Sequence, residues 1–434
     1  MKDQPALIYN LFPRLAGPFT TWRLHLERAA AMGFNWLFIN PVSIPGFSGS
    51  LYAVKDFYQF NPLFVDTEST LSPTRQFAQM VEQAHSLGLR VMVDLVINHT
   101  AIDSPLVKEH PGWYKRDQKG KIKNPGAYED GKLVALWGDL AEVDNTRSAD
   151  RDNLWEYWRQ LVQFWLGLGV DGFRCDAAYK IPSALWRHLI GRARESAPAT
   201  GWFAESLGCT IEQVVELAES GFDYVFNSSK YWDWRESWCL DQYEQSRQLA
   251  PSVSFPESHD TPRLAKELKG DPAAIGQRYL FEALFSTGVM IPLGFEFAFR
   301  KKTDVVHTTP DDWEATGVDL SGFIRAVNEF KLANDIFCRE HPTYSFGLAD
   351  GTGDVAGVLK LAAENGPGAL LMINRSSSDT QHVVVENLRQ ALPGGPEIRL
   401  VVPGEKVRSE VVEGERFEAD LPPAALWLLM RDSS

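Results

Sequence analysis

Cysteine is scarce. There are four in 434 residues (Cys175, Cys209, Cys239 and Cys338), with no CxxC pair and no short regular spacing. That excludes a disulfide-stapled small domain and points to free, mostly buried thiols in a reducing compartment. Long hydrophobic runs are missing too: no stretch approaches the roughly 18 apolar residues of a membrane span. The opening MKDQPALIYNLFPRLAG holds only a short apolar run interrupted by Asp3 and Pro5, so neither a secretion signal nor a membrane partner is expected, and the expected location is cytoplasmic. Positive charge is the minority sign, with 43 Lys and Arg against 57 Asp and Glu and a net charge of −14. This excludes a nucleic-acid or anionic-membrane face, whereas an uncharged ligand needs no charge match. Paired histidines at metal spacing are lacking as well, which counts against a metal enzyme.

What is present is apolar material in a strict rhythm. Hydrophobic residues make up 44% and charged residues 23% of the chain, enough for one large domain and a smaller one. Strand-like and helix-like segments alternate for about 340 residues, the pattern of βα units on a parallel sheet. ALIYNLF (from Ala6), NWLFIN (from Asn35) and LRVMVDLVI (from Leu89) read as buried parallel strands. Val289 to Phe297 reads as the eighth strand, and Gly322 to Phe337 as the closing helix. The expected fold is α/β, a (β/α)8 TIM barrel over residues 1–102 and 148–342. Residues 103–147 break the rhythm with Pro105, Pro111, Gly112, Gly120, Pro125, Gly126 and Gly131, the mark of a functional loop or compact insertion. Residues 343–434 change to short β-rich segments between turn residues, which predicts a C-terminal antiparallel β-sandwich.

Four stretches carry chemistry: Asp94 to His99 (DLVINH), Gly172 to Asp176 (GFRCD), Phe203 to Glu205 (FAE) and Ser258 to Asp260 (SHD). Each ends an apolar, strand-like run and delivers an acid, a histidine or an arginine there. A parallel barrel gathers the C-terminal ends of its strands on one face, where catalytic residues collect. Asp176, Glu205 and Asp260 brought together suggest nucleophilic and acid–base work on a glycosidic bond. Arg174, two residues before Asp176 on a strand, shares its face and is expected to hold that carboxylate ionised and below its usual pKa, while Glu205 needs a raised one. Cys175 alternates away and reads as core packing.

In this order and spacing, the four stretches resemble the four signature regions of the α-amylase superfamily, glycoside hydrolase family 13. The resemblance implies Asp176 as nucleophile, Glu205 as general acid/base and Asp260 as the third acid. It implies His99 and His259 on sugar hydroxyls, Asp94 beside Arg174, and Tyr52 as a stacking tyrosine. Asn98 matches a structural calcium ligand of many amylases, but its partner ligands are not identifiable, so calcium and a plain hydrogen-bonding asparagine stay open; no cofactor is required. Among the tryptophans, Trp113, Trp137 and Trp232 are candidate sugar platforms. The family's usual Lys-His after the nucleophile is replaced by Tyr179 and Lys180, and Ser258 stands where asparagine is common, which leaves the acceptor side open. The run WGDLAEVD (from Trp137), the helix after it and Lys180 to Pro182 resemble in part the maltosyltransferase branch, which uses maltose 1-phosphate. Lys180 and Arg263 are candidate binders of an anionic group. The implied function is a retaining α-glycoside hydrolase or transglycosylase on α-glucan or maltooligosaccharide. The rivals are a sugar-phosphate-using maltosyltransferase and, from another class, a catalytically silent glycan-binding barrel. Oligomeric state is left open.

Overall fold

The computed structural model describes residues 4–129, 132–350, 353–362, 366–393, 397–404 and 406–431. Asp3 and Gly131, named above, lie outside them. Eight strands close into a parallel barrel: β1 (Leu7–Leu11), β2 (Trp36–Ile39), β3 (Arg90–Leu95), β4 (Gly172–Cys175), β5 (Gly201–Ala204), β6 (Tyr224–Phe226), β7 (Ser252–Ser254) and β8 (Gly288–Pro292). β1 pairs with both β2 and β8, so no edge is left open. A helix follows every strand, from Arg23–Ala31 after β1 to Ser321–Ala333 after β8. Side chains of alternate strand positions fill the interior, with Ile8, Trp36, Phe38, Met92, Phe203, Phe226, Val253 and Met290 in one cluster. Trp36 sets a constraint on its neighbours. A Cβ on Gly201 would meet its ring at 2.8 Å, and one on Gly172 at 3.1 Å, so the first residues of β4 and β5 have no room for a side chain.

Two expected elements end early. β8 stops at Pro292, because Gly294 turns the chain at φ 93° and Phe295–Phe297 forms a 3-10 turn instead of more strand. The last barrel helix stops at Ala333, and Asp335–Phe337 is a separate 3-10 turn. Two elements had no strong sequence signal: the helix Trp238–Ser246 after β6, and a hairpin of Ser43–Pro45 with Val54–Phe60 after β2. After β3, His99–Ala101 pairs with Leu140–Glu142, and a second hairpin joins Gly126–Glu129 to Lys132–Leu136. Beyond the barrel, a six-stranded and a three-stranded antiparallel sheet share a core that includes Leu370, Met372, Val383, Val385, Leu400, Phe417 and Leu429.

Two buried lysines join these parts at the C-terminus of the helix Pro272–Phe285. Lys331 Nζ donates to the carbonyls of Ala283 (2.7 Å), Ser286 (2.7 Å) and Phe337. Lys360, from the six-stranded sheet, donates to Phe285 at 2.6 Å and Leu284 at 3.3 Å. Their N–H groups answer the unpaired carbonyls of the helix end, and burial pulls Lys331 down to about 7 and Lys360 to about 8 against the helix dipole that favours their charge. Lys331→Met should therefore lower the unfolding free energy by about 2–3 kcal/mol, the cost of orphaning buried acceptors. A urea titration checks this, and an unchanged midpoint would contradict it.

Candidate active site

The C-terminal ends of β3, β4 and β5 meet at one guanidinium. Arg174 in β4 is buried, and its Nη1 donates to Asp94 Oδ2 at 2.9 Å, Asp94 Oδ1 at 3.0 Å and Asp176 Oδ1 at 2.8 Å. Its Nη2 lies 3.0 Å from Glu205 Oε2. The parallel register explains the convergence, because Arg174 sits opposite Asp94 on β3 and Phe203 on β5. Asp176 and Glu205 each lie just beyond their strands. Between them Ala177 holds a left-handed backbone (φ 42°), rare for a residue with a Cβ, and its N–H donates to Glu205 Oε2 at 2.6 Å. Cys175 is buried in the core, as alternation required.

A second network reaches Asp260. The Tyr52 hydroxyl donates to Asp94 Oδ2 at 2.6 Å, accepts from Asn40 Nδ2 at 2.9 Å and lies 2.7 Å from His259 Nε2. With that hydroxyl's one proton on Asp94, His259 Nε2 is the donor to Tyr52 and to Asp260 Oδ2, 3.1 Å away. The Tyr52 and His259 rings are parallel, with centroids 5.5 Å apart. Tyr52 is thus wired into the site through its hydroxyl, a role its sequence position did not indicate. His99 Nε2 donates to the Tyr52 carbonyl at 3.0 Å, which fixes its tautomer, and burial pushes its pKa down to about 4.

The protonation pattern corrects one expectation. Burial raises Asp176 above the usual carboxylate range, outweighing the lowering by Arg174 that was expected to dominate. Burial also raises Glu205, with Arg174 opposing and the Asp176 charge adding to the rise. Asp94 is pushed up to about 7, by burial first, against Arg174. Asp260, whose side chain is 62% exposed, goes the other way: burial of its surroundings raises it, but the charge and hydrogen bond of His259 prevail and hold it low. His259 rises in return, since Asp260 overcomes the burial that disfavours its charge.

A cavity of about 410 Å³ is lined by Asn98, Lys115, Lys123, Trp137, Glu142, Tyr179 and Lys180, among others, and Tyr179 feels the charges of Glu205 and Asp176. Lys115 and Lys123 reach Glu142 at 2.7 and 2.8 Å, and the Lys180 ammonium stands 5.7 Å from the Trp137 and Tyr179 ring centres. Lys115, Lys123 and Glu142 escaped sequence reasoning, since a lysine-rich loop reads as a solvated surface. These surroundings do not fit a calcium ion at Asn98. Its Oδ1 is buried and unpartnered, but three ammonium groups share its cavity, and among the described residues no group of three or more His, Cys, Asp or Glu could hold a metal.

Arg263 is not where the sequence suggested. It is buried, with Nη1 on Glu257 Oε1 at 2.7 Å and Nη2 on the Leu293 carbonyl at 2.9 Å, so it is sealed inside the protein away from any anionic ligand. Of the three candidate tryptophans, Trp113 and Trp232 are buried and Trp137 is 40% exposed. Tyr231, the neighbour of Trp232, is 58% exposed and feels the Asp260 charge, so it borders the site.

A model described as "Glycogen debranching enzyme, glucanotransferase domain" matches residues 5–118. The chain is 28% identical over 345 residues to an alpha-1,4-glucan:maltose-1-phosphate maltosyltransferase of Burkholderia pseudomallei, a match covering 77% of this chain and 30% of that protein. Among curated relatives with that name, the chain spans only 30 to 40% of the length of the first three. The fold superposes on the noncanonic maltogenic alpha-amylase AmyB of Thermotoga neapolitana with a TM-score of 0.76 at 21% identity, covering 99% of each chain. It also superposes on the alpha-glucosyl transfer enzyme XgtA with a TM-score of 0.76 at 16% identity, again over 99% of each. The resemblance to the α-amylase superfamily, with its partial likeness to the maltosyltransferases, thus rests on family model, relatives and fold together.

Removing the guanidinium should expose how much charge it manages. Arg174→Met leaves Asp94 and Asp176 buried without their cation and should cost about 3–5 kcal/mol at pH 7. The freed carboxylates have folded pKa values above their unfolded ones, so they take up protons as the pH falls and the penalty should shrink toward pH 5. Unfolding titrations at the two pH values check this; a penalty independent of pH would contradict it.

Proposed function

With the α-amylase superfamily as premise, we propose that this protein is a retaining α-glycoside hydrolase or transglycosylase acting on α-1,4 bonds of maltooligosaccharides. The observation that carries the reading is the single guanidinium shared by Asp176 and Glu205. It keeps the two carboxylates close, as a retaining pair about 5–5.5 Å apart requires. Burial raises both carboxyls and Arg174 opposes the rise at each, so Glu205 is suited to carry a proton, while the choice of Asp176 as nucleophile rests on the resemblance and on its two-point hold by Arg174 and the β4 strand end.

In the first step the Asp176 carboxylate attacks the anomeric carbon while that carbon's bond to the leaving oxygen breaks. Glu205 gives its proton to that oxygen, and a β-glycosyl ester on Asp176 results. In the second step Glu205, now a carboxylate, takes a proton from water or a sugar hydroxyl, which attacks the same carbon and frees Asp176. Two inversions return the α configuration. Asp260, held ionised by His259, supports the positive charge that develops on the sugar ring. Arg174 and Asp94 hold the nucleophile in place, and Tyr52 links that pair to His259. The proposed compartment is the cytoplasm, in keeping with four free cysteines.

One observation favours a second reading, a sugar-phosphate donor as in the maltosyltransferases. The cavity that includes Tyr179, which feels the Glu205 charge, is lined by Lys180 and by Lys115 and Lys123, the latter two paired with Glu142, cationic surroundings that a neutral glucan does not need. Asn98 lines the same cavity with its buried Oδ1 unpartnered.

Chromatography of maltoheptaose digests, with Asp176→Asn alongside, separates these readings. Shorter sugars alone mark a hydrolase, and shorter with longer ones a transglycosylase; Asp176→Asn should lose at least about 10³-fold in rate. Turnover only when maltose 1-phosphate is supplied selects the second reading. Undiminished glucan binding with no turnover of any of these donors would mean a silent barrel.

A further inference from the structure

Asp260 is the most exposed of the three acids, and the described contacts of its side chain run to His259 alone. Its position therefore depends on the backbone of residues 257–264, which carries no strand or helix until Leu264–Glu267. That segment is closed into a ring. Glu257, 1% exposed at the end of the β7 run, accepts from Arg263 Nη1 at 2.7 Å and from the Leu264 N–H at 2.5 Å, so its two oxygens tie the start of the segment to its end. Arg263 fastens the ring to the loop after β8 through the carbonyls of Leu293 (2.9 Å) and Lys301 (3.3 Å). Thr303 Oγ1 adds a third tie, donating to the His259 carbonyl at 2.9 Å. Inside the ring, Thr261 Oγ1 accepts from the Ser258 N–H at 2.9 Å and Ser258 Oγ from the Asp260 N–H at 3.3 Å.

From this geometry we propose that Glu257 and Arg263 are positioning residues, whose buried ion pair sets where Asp260 stands relative to Asp176 and Glu205. The inference rests on the reading of those three acids as the reacting centre. A buried carboxylate and guanidinium are expensive to desolvate, and an apolar pair of similar size would hold the loop as firmly. What an apolar pair cannot do is bind one N–H and two carbonyls in fixed directions, and direction is what a transition-state contact needs. Both side chains are buried and their described hydrogen bonds run to each other and to backbone, so any effect on the reaction passes through Asp260.

A double-mutant cycle tests this. Initial rates on maltoheptaose are measured for the wild type, Glu257→Gln, Asp260→Asn and the double variant, together with melting temperatures. Glu257→Gln keeps the shape and the Leu264 contact while weakening the hold on Arg263. It should reduce kcat by about 10²-fold with a smaller change in KM, the scale of loss that follows a misplacement of about 1 Å. In the Asp260→Asn background the same change should cost less than about 2-fold, because the residue it positions is already disabled. Arg263→Lys, which keeps the charge against Glu257 but cannot reach both carbonyls, should repeat the pattern if Glu257→Gln folds poorly. Equal losses in both backgrounds, or a Glu257→Gln enzyme within about 2-fold of the wild type, would overturn the proposal while leaving the site reading intact. A wild type that turns over no α-glucan or maltosyl phosphate would instead remove the reading, and this inference with it.

Discussion

The site depends on one buried cation. Arg174 pairs with Asp94 and Asp176 and touches Glu205, all within 3.0 Å of its terminal nitrogens. Without it, two buried carboxylates would have to protonate or leave the interior. With it, they remain paired at the mouth of the barrel, and the site holds groups of opposed tendency side by side. Glu205 is lifted toward protonation, while Asp260 is held ionised by His259. Asp176 is lifted by burial together with Glu205, so of these three acids Asp260 is the one held below its usual range.

The barrel makes the arrangement affordable in structural terms. Parallel pairing brings Asp94, Arg174 and the approach to Glu205 to one level on three adjacent strands. Loops supply the rest, and they are tied rather than free: Glu257 and Arg263 brace the Asp260 segment, and the loop after β8 accepts from Arg263 and donates to His259. Farther down, Lys331 and Lys360 connect the C-terminus of a barrel helix to its neighbours and to the terminal sheets. Buried, hydrogen-bonded polar groups of this kind rigidify the frame that carries the exposed acid.

Much of this was legible in the sequence because strand ends are legible. DLVINH, GFRCD, FAE and SHD each put a functional residue just after an apolar run, and the barrel's geometry did the gathering. The barrel was legible from the strand–helix rhythm, and these strand ends marked the side chains that the structure brings together around Arg174. Other features need the third dimension. Arg263 and Lys180 look alike as isolated cations in sequence, yet one is sealed against Glu257 and the other lines a cavity. Trp232 and Tyr231 are adjacent, and only the structure shows that the smaller ring is the exposed one. The eighth strand was read too long because Leu293, Phe295 and Phe297 continue the apolar pattern after the chain has already turned at Gly294. Asp176 was read too low because a neighbouring arginine is visible in sequence and burial is not.

The most direct test of the account is covalent trapping. A slow fluorosugar fluoride donor should leave a glycosyl ester that peptide mass spectrometry finds on Asp176, and the adduct should form far more slowly when Glu205 is replaced and the donor lacks an activated leaving group. An adduct on a different residue, or a product released with inverted anomeric configuration, would contradict the assignment of Asp176 as nucleophile and Glu205 as its acid.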